Sequence, residues 1–349
     1  MSDKSNPFER ASGFPGAKPK GVRVARGDLV RMSQPDPSGR LPLVVEPGMP
    51  GVSLADWIGS NRELVGQKLV ENGAILFRGF GIRTAEDFHH LTSAASGELL
   101  QYRERSTPRT AVGDRIYTST EYPADQEIPM HNENSYSHKW PRKLWFFCHQ
   151  AAPEGGETPL ADSRKMLERI DPEVRRRFVE KGVMYVRNYR EGLDLDWRTA
   201  FQTDDREQVE EYCRQSGSEF EWLDGDRLRT RQVRHAVMDH PETGDTVWFN
   251  QAHLFHVSSL APEVRESLLE LHGEEDLPRN TYYGDGTPIE DSTMDHIREL
   301  YRQESVTFPW QEGDALLVDN VLVAHGRRPF SGPRKILVAM AEPMQAPQG

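Results

Sequence analysis

Cysteine is nearly absent from this chain: two residues, Cys148 and Cys213, in 349. That excludes a scaffold held by several disulfides, and the pair reads as reduced residues of a cytoplasmic protein. Long apolar runs are missing as well; none approaches the roughly eighteen residues that a membrane-spanning helix needs. The N-terminal MSDKSNPFERASGFPGAKPK lacks the apolar segment of a secretory signal. It reads as a flexible leader, assigned to residues 1–40, ahead of a single domain over 41–349. Excess positive charge is lacking too: the net charge is −12, which argues against nucleic acid as a partner. The glycine loops that cradle phosphates, GxGxxG and GxxxxGK[ST], do not occur, which weakens every nucleotide-dependent reading. A soluble intracellular enzyme is the starting expectation.

The text that is present alternates short strands with inserted helices. SLADWIGSNRELVGQKLVENG opens on a capping serine and closes on Gly73, and predicts a helix. AILFRGF predicts a buried strand, and TAEDFHHLTSAAS a helix opened by Thr84. Residues Leu99 to Glu127 show little periodicity and predict a long loop able to border a site. From Ile128 onward strand text recurs in IPMHNEN, KLWFFCHQA, ETPLAD, VMYVRNY, TVWFNQ, SVTFPWQ, DALLVDN and RKILVAMAE. Helices are predicted in SRKMLERIDPEVRRRFVEKG, DREQVEEYCRQSG, APEVRESLLELHG and DSTMDHIRELYRQE. The sum is a mostly β, α+β chain with a jelly-roll or barrel core.

The most informative spacing is His131-x-Glu133, followed by Asn134. If IPMHNEN is a strand, alternate side chains share a face, so the imidazole and carboxylate point the same way. Taken alone, such a pair is more often a surface ion pair than a ligand set. A third ligand is supplied by His325, placed near a strand end after the Asp-Asn turn of DALLVDNVLVAHGRRPFSGPRKIL. Two histidines and one carboxylate make the facial triad of non-haem Fe(II) oxygenases, which leaves coordination positions open for a chelating cosubstrate and O2. A dianionic cosubstrate needs a cation at its far end. Arg327, Arg328, Arg334 and Lys335 offer four within ten residues of His325, and Arg334 can fork onto a carboxylate as Lys335 cannot. His253 and His256 rank as substrate-side or packing residues. A zinc hydrolase on the same three ligands, or a non-catalytic jelly-roll binding protein, stays open as an alternative.

These residues resemble the TauD/TfdA-like family of Fe(II)- and 2-oxoglutarate-dependent oxygenases, and most of all its SyrP-like branch of amino-acid hydroxylases. The likeness is carried by HNE at 131–133, GGETPLADSR at 155–164, WFNQAHLFH at 248–256, YYGDG at 282–286 and the His325–Arg334 segment. It implies a double-stranded β-helix fold, with His131, Glu133 and His325 as iron ligands. It also implies that Thr158 and Arg334 clamp the distal carboxylate of 2-oxoglutarate, with Arg327 as the alternative clamp. The implied reaction consumes O2 and 2-oxoglutarate, releases succinate and CO2, and hydroxylates an unactivated C–H bond in natural-product biosynthesis. The implied substrate is an amino acid or aminoacyl group, free or carried on a peptidyl carrier protein. DPEVRRRFVEKG and DRLRTRQVRH are the two basic stretches available to dock such a carrier. Asn134 and Asn250 are the expected polar substrate contacts. Glu133 argues against halogenation, because the related halogenases leave the carboxylate's place to halide.

Overall fold

The computed structural model describes residues 29–35, 41–97, 99–100, 111–113, 115–119, 122–190, 192 and 195–346. Most of the expected leader lies outside them; within its last part, Val30–Ser33 is an edge strand paired antiparallel with Leu43–Pro47.

Two long strands, Lys139–Gln150 and Lys335–Gln345, form the spine of an eight-stranded sheet. Alternation along them sorts the core. Trp145 and Phe147, with cross-strand partners Ala339 and Leu337, face one side; Leu144, Phe146 and Cys148 face the other with Met340, Val338 and Ile336. Ala315–Asp319 continues the pattern on the next strand, Leu317 to the first side and Leu316 and Val318 to the second. A sheet with both faces apolar must be covered twice.

The first cover is helical. The expected helix over residues 53–73 is two, Leu54–Ser60 and Arg62–Asn72, broken at Asn61, whose side chain turns back to donate to Trp57 O at 2.7 Å. Ser53 caps the first, and Gly73, at φ +76°, closes the second. Ala85–Ala95 begins with a Thr84–Asp87 capping box. These helices place Trp57, Ile58, Leu69, Phe88 and Leu91 against the first face.

The second cover is a short sheet of Ile128–His131, Val323–Arg327 and Leu160–Asp162, all antiparallel. Leu160 and Val323 join Phe146 and Val338 in one cluster between the two sheets. Beyond it, Pro172–Lys181 packs on a four-stranded sheet of Glu219–Leu223, Arg227–Arg234, Val183–Tyr189 and Arg279–Tyr283, and Asp291–Glu304 joins the same apolar cluster from beside Leu160–Asp162. Both cysteines are buried free thiols, and among the described residues no helix is long and apolar enough to cross a membrane.

Three local expectations change. SVTFPWQ is not a strand; only Val306 makes a bridge, to Leu160, and Pro309 lacks the N–H that continued pairing requires. Arg227–Arg234 is a strand although its text is mostly charged, because Leu228 is fully buried and the charge of the buried Arg229 is met by Asp276, with Asn188 accepting from its Nε. The Leu99–Glu127 loop contains two short strands, Ala111–Gly113 and Ile116–Thr118, while residues 101–110 lie outside the described set.

Candidate metal centre

His131 is the last residue of its strand, and His325 stands directly across from it on Val323–Arg327. His325 is therefore mid-strand, flanked by Leu160 on its other side, rather than near a strand end. The correction has a physical basis: the Asp319–Asn320 turn completes its reversal before Val323, leaving two residues of strand ahead of the histidine. Between the two ring centroids lie 4.4 Å. Close pairing here depends on Gly326, since a Cβ at that position would stand 2.7 Å from Ile128 O.

Glu133 is not on the strand. The chain leaves extended geometry after His131 and turns, with Asn134 in the left-handed region at φ +57°. Asn320 holds this turn: its Oδ1 accepts from Glu133 N at 2.7 Å, and its Nδ2 donates to Glu133 O at 3.0 Å and Pro141 O at 2.8 Å. Gln251 Nε2 donates to Asn132 O, and His253 Nε2 to Met130 O. Side chains thus satisfy the edge backbone where strand pairing stops.

The result is convergent. One donor atom each from His131, Glu133 and His325 lies within 4.8 Å of the others, and His131 Nε2 is 4.0 Å from Glu133 Oε2. His131 Nδ1 lies 2.8 Å from Pro129 O. A carbonyl only accepts, so Nδ1 carries the proton and the Nε2 lone pair faces the carboxylate. Two imidazoles and one carboxylate at this spacing suit a divalent cation with open coordination positions.

A small cleft of about 40 Å³ opens beside His131 and His325. Ile128, Phe146, Ile336 and Val338 give it apolar walls, while Thr158, Arg327 and Arg334 add polar groups. Thr158 is buried, and its Oγ1 accepts from Trp310 Nε1 at 3.1 Å. Arg334 Nε donates to Gly156 O at 2.9 Å, and its guanidinium lies 5.4 Å from the Phe330 ring centre. A Cβ on Gly156 would stand 2.9 Å from the Arg334 side chain, which explains the glycine in GGETP. Burial, then the nearby Arg327 charge, pushes the Arg334 guanidinium down to about 10. Among the described residues Arg334 has no carboxylate partner.

The other cations of the segment are committed elsewhere. Arg327 donates to the carbonyls of Tyr122, Pro123 and Gln126, and so ties the loop ahead of the Ile128–His131 strand. Arg328 pairs with Glu127, and Lys335 is exposed. Asn134 follows Glu133 in the turn but is not among the residues that line the cleft; its buried Oδ1 has no partner among the described residues. Asn250 does not line the cleft. Its Nδ2 donates to Ala236 O and its Oδ1 accepts from Ala252 N, so it shapes the following helix start. His253 is buried, which drives its pKa down to about 3, and His256 donates from Nε2 to Ile289 O; both are packing residues. Asn320, Gln251 and Trp310 carry the support that sequence reasoning missed. The Asp-Asn turn and the NQAHLFH phrase were visible, but nothing local says which backbone they reach.

The chain matches the model of the family described as "Taurine catabolism dioxygenase TauD, TfdA family" over residues 38–340. It is 46% identical over 276 residues to the dapdiamide synthesis protein DdaC of Enterobacter agglomerans, covering 79% of this chain and 84% of that one. It is 32% identical over 327 residues to a clavaminate synthase-like protein of Arabidopsis thaliana, covering 89% and 94%. Among solved structures, PvcB, described as an Fe, alpha-ketoglutarate dependent oxygenase from an isonitrile synthetic pathway, superposes with a TM-score of 0.52 at 16% identity, covering 96% and 98%. With the family model spanning most of its length and two relatives above 30% identity, the chain belongs to the TauD/TfdA family of dioxygenases.

Proposed function

We propose that the protein is an Fe(II)- and 2-oxoglutarate-dependent oxygenase that hydroxylates an unactivated C–H bond of an amino-acid-type substrate, on a double-stranded β-helix core. The observation that carries this reading is the convergence of His131, Glu133 and His325 beside a cleft whose half-buried arginine, Arg334, has no acidic partner among the described residues. His131, Glu133 and His325 would hold the metal; Thr158 and Arg334 would hold the distal carboxylate of 2-oxoglutarate. With iron, 2-oxoglutarate and O2 bound, the centre supplies oxidation of the oxo acid to succinate and CO2 coupled to oxygen insertion into the substrate.

The chain's own residues orient and exclude. The Pro129 carbonyl keeps His131 in one tautomer, and Asn320 fixes the carboxylate turn. The apolar walls keep water from the cosubstrate, which strengthens its ionic contact with Arg334. Asn134 is proposed as a polar contact to the substrate, through an Oδ1 that lacks a donor.

The 46% relative is a dapdiamide synthesis protein and PvcB belongs to an isonitrile synthetic pathway; both support a place in natural-product biosynthesis, here proposed for the cytoplasm. The basic stretches do not form free patches. Arg176 pairs with Glu173 and Glu180, Arg177 with Glu290, and Arg229 with Asp276. Docking an acidic carrier domain needs unpaired basic surface, so the substrate is proposed to be a free amino acid or peptide.

Anaerobic loading with Fe(II) and 2-oxoglutarate tests the centre. A visible charge-transfer band is expected, absent in Glu133→Ala and shifted to higher 2-oxoglutarate concentration in Arg334→Ala. A folded, iron-loaded sample with no band overturns the assignment.

A further inference from the structure

Thr158 has a partner that determines which way its hydroxyl can point. Trp310 Nε1 lies 3.1 Å from Thr158 Oγ1. An indole nitrogen only donates, so at this contact the threonine oxygen must accept. Its own O–H then has no acceptor among the described residues, while the residue lines the cleft. We infer that Trp310 is a positioning residue for cosubstrate selection: it turns the Thr158 hydroxyl into a donor aimed at the cleft, so that this end, with Arg334, presents donors only. Such an end accepts a carboxylate and rejects a neutral or donor group. The inference rests on the cosubstrate reading above and deepens it.

The loop that carries Trp310 is held from several sides, as a positioning role requires. Val306 and Leu160 exchange backbone hydrogen bonds of 2.8 and 2.9 Å, setting this loop beside the Thr158 strand entry. Phe308 is buried and packs edge-on against the Trp310 ring at 5.2 Å. Arg78, paired with the buried Asp314 at 2.6 Å, also donates to Pro309 O at 2.8 Å. Asp314 Oδ2 in turn accepts from Gln311 N at 2.9 Å. The residues on both sides of Trp310 are therefore tied to one ion pair, which leaves the indole little room to leave Thr158.

Trp310→Phe removes the N–H and keeps most of the ring. The test is an anaerobic titration of Fe(II)-loaded protein with 2-oxoglutarate, read by the visible charge-transfer band rather than by turnover. One neutral hydrogen bond predicts a Kd raised roughly five- to tenfold, with the iron affinity and unfolding midpoint held. If Trp310 acts through Thr158, the same change in a Thr158→Val background adds nothing. Binding of 2-oxobutyrate, which has no distal carboxylate, should not respond to Trp310→Phe at all. Equal 2-oxoglutarate affinity in wild type and W310F overturns the inference, as does a full additional loss in the Thr158→Val background. A wild-type protein that binds iron but shows no band removes the cosubstrate reading itself, and this inference with it. Should W310F fail to fold, the indole N–H signals of Zn(II)-loaded protein give the answer. The signal displaced by Thr158→Val should shift with 2-oxoglutarate and stay in place with 2-oxobutyrate; a signal indifferent to 2-oxoglutarate overturns the inference.

Discussion

Asn320 brackets Glu133, accepting from its N–H at 2.7 Å and donating to its carbonyl at 3.0 Å, from 187 residues away in the chain. The carboxylate is thus placed by an amide that touches only backbone. Asn320→Ala leaves Glu133 N, Glu133 O and Pro141 O without these partners. A stability loss of about 2–4 kcal/mol is expected in urea unfolding, with Fe(II) affinity falling roughly 10- to 100-fold in direct binding measurements. A variant that unfolds more easily yet binds metal normally would show that the bracket serves the fold alone.

Arg334→Lys keeps a charge in the cleft but loses the planar fork. The KM for 2-oxoglutarate should rise by roughly tenfold or more while kcat at saturation changes little. Steady-state kinetics over a range of cosubstrate decides it, and an unchanged KM would point to Arg327 as the clamp.

Gly326→Ala places a methyl 2.7 Å from Ile128 O and 3.2 Å from Met130 Sδ, where backbone must move. The expected cost is about 1–3 kcal/mol, together with weakened metal binding, because the displaced strands are the two that carry His131 and His325. Thermal unfolding with and without Fe(II) separates the effects: the metal-induced rise in Tm should shrink.

His253 is buried and neutral, its pKa driven from 6.5 to about 3 chiefly by loss of hydration. The unfolded chain binds this proton below about 6.5 and the folded chain does not until near 3. Stability is therefore fully present above 6.5 and is lost as the pH falls toward 3. His253→Gln retains an N–H able to reach Met130 O. Urea midpoints between pH 4 and 7 should then fall less steeply with acid in the variant, and parallel slopes would contradict the assignment.

Alternation on KLWFFCHQ and RKILVAMAE separates Phe146 from Phe147 and Leu337 from Val338, because strand side chains alternate regardless of what covers them; that Phe146 shares its face with Val338 is set by the pairing register, which the folded sheet decides. Caps behaved in the same local way: Thr84 with Asp87 and Gly217 mark helix ends through atoms a few residues apart. The break at Asn61 was less legible, since apolar spacing continues across it and only the Asn61 bond to Trp57 O reveals the stop.

The chemistry proposed for the centre is legible in residue types and their order: an imidazole and carboxylate two apart, a later imidazole, then several cations. Tertiary structure alone decided how they are used. It took Glu133 off the strand, and it directed Arg327 to three carbonyls while leaving Arg334 facing the cleft. It also brought Trp310 to Thr158 across 152 residues. Donor atoms and side-chain periodicity are properties of the chain itself. Which buried polar atom meets which depends on how two sheets and a loop close over one another, and no local pattern encodes that.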